Sequence, residues 1–147
     1  MTESFNDLIL LDTNILVYAF DSSEEEKHTI ARGLLFGFFS KEQMTAVSIQ
    51  SLSEFFTIAT KKLPKPIDKQ EAQQLINNII DSKNFKILKS NEKTIISAIE
   101  THIKYDSSYW DSLIAETMRD NKVFTIMTEN EKDFKKIPWL TVINPFR

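Results

Sequence analysis

Cysteine is absent from the 147 residues, and glycine occurs only twice, at Gly33 and Gly37. Without thiols there is no disulfide scaffold, no thiolate metal site and no cysteine nucleophile. The absence fits a reducing cytosol, although secreted proteins can share it. Two glycines are too few for a G-x-G-x-x-G dinucleotide loop, a P-loop or a G-x-S-x-G nucleophile elbow. His28 and His102 are far apart and form no zinc motif. No apolar run approaches the roughly 20 residues needed to cross a bilayer. Met1-Thr2-Glu3-Ser4 shows no basic region leading into an apolar stretch. The chain is therefore expected to be soluble and cytoplasmic. Carboxylates are what remains for chemistry.

The length is that of one ordinary domain, and 41% hydrophobic residues suffice for a core without staples. Residues Met1 to Asp7 read as a short, loosely held arm. The net charge of -3 and a pI near 5.4 argue mildly against a nonspecific nucleic-acid binder, which is usually basic. A dense carboxylate site would produce the same balance. Lys61-Lys62-Leu63-Pro64-Lys65 and Lys132 to Lys136 are the candidate basic patches, though each alone reads better as solvated surface lysines.

Leu8-Ile9-Leu10-Leu11 is a short apolar run ending in Asp12-Thr13-Asn14, which suits a strand buried on both faces. A short helix is expected over Ile15 to Phe20. Asp21-Ser22-Ser23 offers caps for a long helix carrying Ile30, Leu34, Leu35 and Phe38. Thr45 to Ser48 reads as a second strand, followed by a helix with Leu52, Phe55, Phe56 and Ala59 inward. Pro64 and Pro66 break the chain, and Asp68 caps a helix with Ala72, Leu75, Ile76, Ile79 and Ile80. Phe85 to Leu88 is a third strand. Asn91 caps a helix marked by Ile95, Ile96, Ile99 and Ile103. Asp106-Ser107-Ser108 caps another, with Trp110, Leu113, Ile114, Thr117 and Met118 on one stripe. Val123 to Met127 and Thr141 to Ile143 complete the strands. Strands alternating with amphipathic helices indicate an α/β fold with a mainly parallel sheet.

In such sheets ligands bind beyond the carboxyl ends of the strands. Asp12 directly follows the first strand. Glu54 lies early in the helix after the second. Asp111 opens the helix that returns to the fourth strand, so it also lies back at the carboxyl edge. Thr128, Glu129, Asn130 and Asp133 follow that fourth strand. Each acid alone has a plainer reading: Asp12 as a helix cap, Asp111 as an acid at a helix N-terminus, Glu54 as a solvated face, Asp133 as a turn cap. Their convergence on one edge favours a site. Clustered carboxylates repel one another, and a divalent cation such as Mg²⁺ or Mn²⁺ relieves that. Such a cation activates water and stabilises charge on an attacked phosphate.

These segments resemble the PIN-domain family, especially its VapC-type toxin ribonucleases. Leu10 to Ala19, with Asp12-Thr13-Asn14, is similar to the opening motif. Ser53-Glu54-Phe55 resembles the second motif and Trp110 to Ala115 the third. Thr128 to Phe134, Ile137-Pro138 and Val142 to Pro145 resemble the C-terminal pattern. The resemblance spans nearly the whole chain. It implies a single PIN domain over residues 1–147, a three-layer α/β/α sandwich with a five-stranded sheet, and Mg²⁺- or Mn²⁺-dependent hydrolysis of RNA phosphodiester bonds. By carry-over, Asp12, Glu54 and Asp111 would hold metal and orient water, with Asp133 joining the catalytic carboxylates. Thr13, Asn14, Thr128 and Asn130 would support them. Many members have aspartate where Asn130 stands; a subset pairs the Asn form with an aspartate three residues on, here Asp133. That departure bears on a second tightly held metal more than on activity. The resemblance also implies a homodimer, an antitoxin partner and a place in a type II toxin-antitoxin pair.

A phosphoaspartate phosphatase would want a second aspartate where Asn14 stands. A response regulator would want an aspartate after the third strand, where Leu88-Lys89-Ser90 supplies none. The surviving alternative is a catalytically weak or inactive PIN domain that binds RNA or protein.

Overall fold

The computed structural model describes residues 8–40 and 44–147. The expected arm, residues 1–7, lies outside the described residues. The strands are β1 (Ile9–Leu11), β2 (Thr45–Ser48), β3 (Phe85–Leu88), β4 (Thr125–Met127) and β5 (Thr141–Ile143). The helices are α1 (Thr13–Tyr18), α2 (Glu25–Ser40), α3 (Ile49–Thr57), α4 (Lys69–Asp81), α5 (Glu92–Tyr105), α6 (Tyr109–Asp120) and α7 (Glu131–Phe134).

The five strands form one sheet in the order β3-β2-β1-β4-β5, and every neighbouring pair is parallel. The two-residue side-chain period of a strand divides the apolar residues between two cores. Leu11, Val47, Phe85 and Met127 face one side and pack with α1, α2, α3 and α4. Leu10, Ala46, Leu88 and Ile126 face the other and pack with Ile114, Ala115 and Met118 of α6 and Phe134 of α7. This is the expected α/β/α sandwich. Burying side chains such as Phe55 and Phe134 contributes roughly 1.5–3 kcal/mol each.

Local chemistry sets the helix ends. Asn91 caps α5 with a full capping box: its Oδ1 accepts from the Lys93 and Thr94 amides, and Thr94 Oγ1 accepts from the Asn91 amide. Asp106 closes α5 in the left-handed region at φ 56°, a conformation aspartate tolerates, and Ser108 caps α6. Beyond α3 the chain continues as one π-helical turn, Ile58–Lys62, ended by the extended backbone of Leu63 ahead of Pro64. The extra residue that widens this turn leaves no mark on hydrophobic spacing, so periodicity does not reveal it.

Three helices depart from the expected packing; on α4, Ile80 is 53% exposed while Ala72, Leu75 and Ile79 are buried. On α5 the isoleucines face outward: Ile96 is 59% and Ile103 75% exposed. α5 rests on α6, not on the sheet, through a seam of Thr94, Ala98 and Thr101. Thr94 Oγ1 donates to Asp120 (2.6 Å), and Thr101 Oγ1 donates to the buried Glu116 (2.6 Å). α6 occupies the sheet face, so the polar side of α5 meets it. On α6, Leu113, Ile114, Thr117 and Met118 are buried as expected, but Trp110 is 60% exposed. Among the described residues, no helix is long and apolar enough to cross a membrane.

Candidate active site

The strand order reverses between β1 and β4, since β2 and β3 extend one way and β4 and β5 the other. The carboxyl ends of strands at such a switch point leave a crevice. The register pairs Leu11 with Met127, so the residues that follow, Asp12 and Thr128, emerge side by side. The Asp12 amide donates to Met127 O (3.0 Å). Thr128 Oγ1 then donates to Asp12 Oδ2 (2.8 Å). The other carboxylate oxygen, Oδ1, accepts from the Thr13 amide (2.8 Å) as the cap of α1. Asn14 Nδ2 donates to Asp12 Oδ2 (3.2 Å), and Asn14 Oδ1 accepts from the Glu129 amide (3.2 Å). The Asn130 amide donates back to Thr128 Oγ1 (2.9 Å). Asp12 is thus both a helix cap and a buried site group, only 6% exposed. Burial pushes its pKa up and the Glu54 charge adds to that, while the hydrogen bonds from Thr128, Thr13 and Asn14 oppose.

Glu54 projects from α3 and accepts from Thr13 Oγ1 (3.1 Å). Asp111 stands in the first turn of α6, where Ser108 Oγ accepts from its amide (3.2 Å). Asn130 Nδ2 donates to Asp111 Oδ2 (2.6 Å). The Asp111 carboxyl is pushed up to about 6. Burial is the first cause; the charges of Asp12, Asp133 and Glu54 add to it, and the Ser108 hydrogen bond opposes it.

These groups line one cleft of about 400 Å³. Among the described residues its lining includes five acidic ones, Asp12, Asp21, Glu24, Glu54 and Asp111, and no lysine or arginine. The hydrogen-bond donors to Asp12, Glu54 and Asp111 are neutral hydroxyls and amides. Hard oxygen donors of this kind suit Mg²⁺ or Mn²⁺. Among the described residues, no three acidic or histidine side chains converge as a ready-made metal cage. A magnesium ion does not require one, because it keeps several waters and binds through one or two carboxylates.

The fold therefore brings Asp12, Glu54, Asp111, Thr13, Asn14, Thr128 and Asn130 together. Asp133 is close enough to raise the Asp111 pKa, yet it pairs with Lys136 (3.4 Å) outside the lining of the cleft. Glu129 turns away: it accepts from Tyr18 Oη (2.6 Å) and pairs with Lys27. Partial burial works against its charged form, but the Lys27 and Tyr18 hydrogen bonds hold its pKa below the ordinary value. In the second basic patch, Lys135 and Lys136 are bound to Glu131 and Asp133. Lys61 and Lys62 are exposed, on the π-turn whose first residue, Ile58, lines the cleft.

Sequence reasoning missed Asp21, Glu24, Gln50, Tyr18 and Trp110 in the lining. Gln50 was open to view, since it lies four residues before Glu54 and so shares its helix face. Trp110 was hidden by its apolar character, which places it on the inward stripe of α6.

A parallel five-stranded sheet between helical layers, with an acidic cleft at its switch point, defines an α/β domain with a carboxylate-centred site. A family model described as PIN domain matches residues 9–140, and the chain belongs to that family. No curated protein matches it by sequence. Among solved structures, it is similar to a chain of a toxin-antitoxin complex from Klebsiella pneumoniae (22% identity, TM-score 0.66, covering 93% of this chain and 97% of that one). It is similar to VapC20 of Mycobacterium tuberculosis, described as a Sarcin-Ricin loop cleaving toxin (16%, 0.66, 86% and 93%). It is also similar to a chain of VapBC2 from Rickettsia felis, bound to a DNA fragment of its promoter (22%, 0.65, 93% and 98%). At these identities the likeness carries the fold.

Proposed function

We propose that this chain, read as one PIN domain, is a divalent-cation-dependent endoribonuclease and the toxin of a type II toxin-antitoxin pair. The observation that carries the reading is a cleft lined, among the described residues, by five acidic residues and no lysine or arginine. Such a cleft repels RNA until a cation occupies it. Asp12 and Asp111, with Glu54 beside them, would hold Mg²⁺ or Mn²⁺. When bound, the cation lowers the pKa of water and neutralises charge developing on the phosphate. The chain's own residues supply orientation. Thr128, Thr13 and Asn14 fix both oxygens of Asp12, Thr13 also fixes Glu54, and Asn130 fixes Asp111. Asp133 adds negative field from the rim. Lys61 and Lys62 give the approaching backbone a local attraction that the net charge of -3 lacks.

The solved structures support the same reading: one is described as a Sarcin-Ricin loop cleaving toxin, and another as a toxin-antitoxin complex. A small antitoxin is accordingly a proposed partner, and the cytoplasm the proposed location. A homodimer is proposed as well, with the α5 face of Ile96 and Ile103, exposed among the described residues, as its candidate contact.

The test is cleavage of mixed RNAs by purified protein, with Mg²⁺ or Mn²⁺ and with chelator, alongside Asp12→Asn and Asp111→Asn. Cation-dependent cleavage lost in both variants is expected. Equal residual cleavage in both would mean a contaminant or another site. Weak or absent Mn²⁺ binding by calorimetry would favour an inactive binding module instead.

A further inference from the structure

Trp110 is a large aromatic side chain in a place where burial does not explain it. It belongs to the first turn of α6, whose following residues from Ser112 to Met118 are buried, yet 60% of it is exposed. It lines the same cleft as Asp12, Glu54 and Asp111. Tyr109 packs edge-on against its ring at 5.2 Å and 70°, which steadies the indole from one side. Backbone geometry puts its Cα about 3.8 Å from that of Asp111. Across the cleft wall, on the Glu54 face of α3, Gln50 carries a second unexplained group. Its Nε2 is buried and has no hydrogen-bond partner among the described residues. A buried donor without a partner is costly; Trp139 Nε1 is another, but only Gln50 borders the cleft, where a ligand can complete it.

Resting on the ribonuclease reading, we infer that Trp110 is a stacking platform for an unpaired base of the RNA beside the phosphate at Asp111, with Gln50 donating a hydrogen bond to the same nucleotide. An indole face accepts any base by stacking, so it would select for single-stranded over paired substrate more than for sequence. The adjacency of Trp110 and Asp111 ties the stacked base to the neighbouring phosphate. The carboxylates repel the backbone, so an uncharged contact of this kind holds the nucleotide without opposing them. This gives the cleft a reason to prefer loops or unpaired segments.

The chain's two tryptophans make the inference testable by fluorescence. Trp139 lies elsewhere, under the Arg119 guanidinium at 3.8 Å, and its replacement by phenylalanine leaves Trp110 as the sole indole reporter. A 2′-O-methyl single-stranded oligonucleotide, which resists cleavage, is titrated into the Trp139→Phe variant with Mg²⁺ present. Quenching of Trp110 is expected, and an oligonucleotide with abasic positions should not produce it. Trp110→Ala should weaken binding about tenfold, with Trp110→Phe retaining most of it. On cleavable RNA the same loss should enter KM, with kcat changed by less than about twofold. Gln50→Leu should weaken binding about fivefold. Because Trp110 is exposed, thermal unfolding of Trp110→Ala should match the wild type. Binding and cation-dependent cleavage that are unaffected by Trp110→Ala, with no quenching, overturn the platform and leave the nuclease reading intact. Base-dependent quenching without cleavage upholds the platform and removes the nuclease reading. No binding of the oligonucleotide together with no cleavage of RNA removes both.

Discussion

The cleft and the outer face of α5 break the usual distribution of polarity in opposite ways. In the cleft, charge lies inside: Asp12 is 6% exposed and feels the charge of Glu54, while Asp111 feels both. On α5, apolar surface lies outside, with Ile96 59% and Ile103 75% exposed. The first departure is electrostatic and local, so a small ion can relieve it. The second is a matter of area, so only another surface can. Under the proposed function the two regions would take different kinds of partner, a cation and a protein face, and neither departure serves the stability of an isolated chain.

The largest expected effect breaks the cleft. Asp12→Asn or Asp111→Asn should lower RNA cleavage about 100-fold or more in initial-rate assays. Unfolding at neutral pH should show Asp111→Asn as stable as the wild type or more so, because the change removes a carboxylate that burial disfavours. Activity and stability falling together would mark these acids as structural.

Next in size is the response to cations and protons. The Asp111 carboxyl sits near 6 in the folded chain against 3.8 in its ordinary state, so the folded form holds that proton more tightly. In chelator its contribution therefore favours folding at pH below 3.8 and fades as the pH rises through about 6. The raised Asp12 acts in the same direction. The difference between wild type and Asp111→Asn in thermal unfolding across this range isolates the effect; a difference that does not vary with pH would contradict it. Mn²⁺ at 100 times its Kd should add about 2.7 kcal/mol at pH 7.5. The gain should shrink near pH 5, where protons compete, and vanish in Asp12→Asn.

Thr128→Ala removes the hydroxyl that orients Asp12 Oδ2. A loss of about tenfold in cleavage is expected from such a supporting group. An unchanged rate would show that Thr13 and Asn14 suffice. The smallest effect on stability belongs to α5. Ile96→Glu with Ile103→Glu should shift unfolding by no more than about 0.5 kcal/mol, as exposed substitutions do. Light scattering should nevertheless show a dimer becoming a monomer. A dimer that persists would place its interface elsewhere.

Strand positions were legible because short apolar runs bounded by turn formers leave few alternatives. Thr45–Ser48, Phe85–Leu88 and Thr141–Ile143 match expectation residue for residue. The Asn91 cap was legible because capping is a matter of a few neighbouring atoms. The site was legible through connectivity, which sends Asp12, Glu54, Asp111 and Thr128 to one edge. Ile95, Ile96, Ile99, Ile103 and Trp110 were not, because hydrophobic spacing reports that a face exists and not what covers it. Which face of α5 turns inward depends on α6 taking the sheet, a competition between distant segments. Asp133 illustrates the same limit: its spacing from Asn130 suggests the site, whereas its pairing with Lys136 is a matter of side-chain direction.

The amino-acid order alone determined the alternation of strands and helices, the Asn91 and Ser108 caps (Asp68 opens α4 without a side-chain cap bond), and the set of acids available for chemistry, since these depend on neighbours along the chain. The tertiary structure alone decided the β1–β4 register that sets Thr128 against Asp12, the hydrogen bond from Asn130 to Asp111, and the outward turn of Trp110 and the α5 isoleucines. Those features depend on contacts between segments as much as 116 residues apart, which no local pattern encodes.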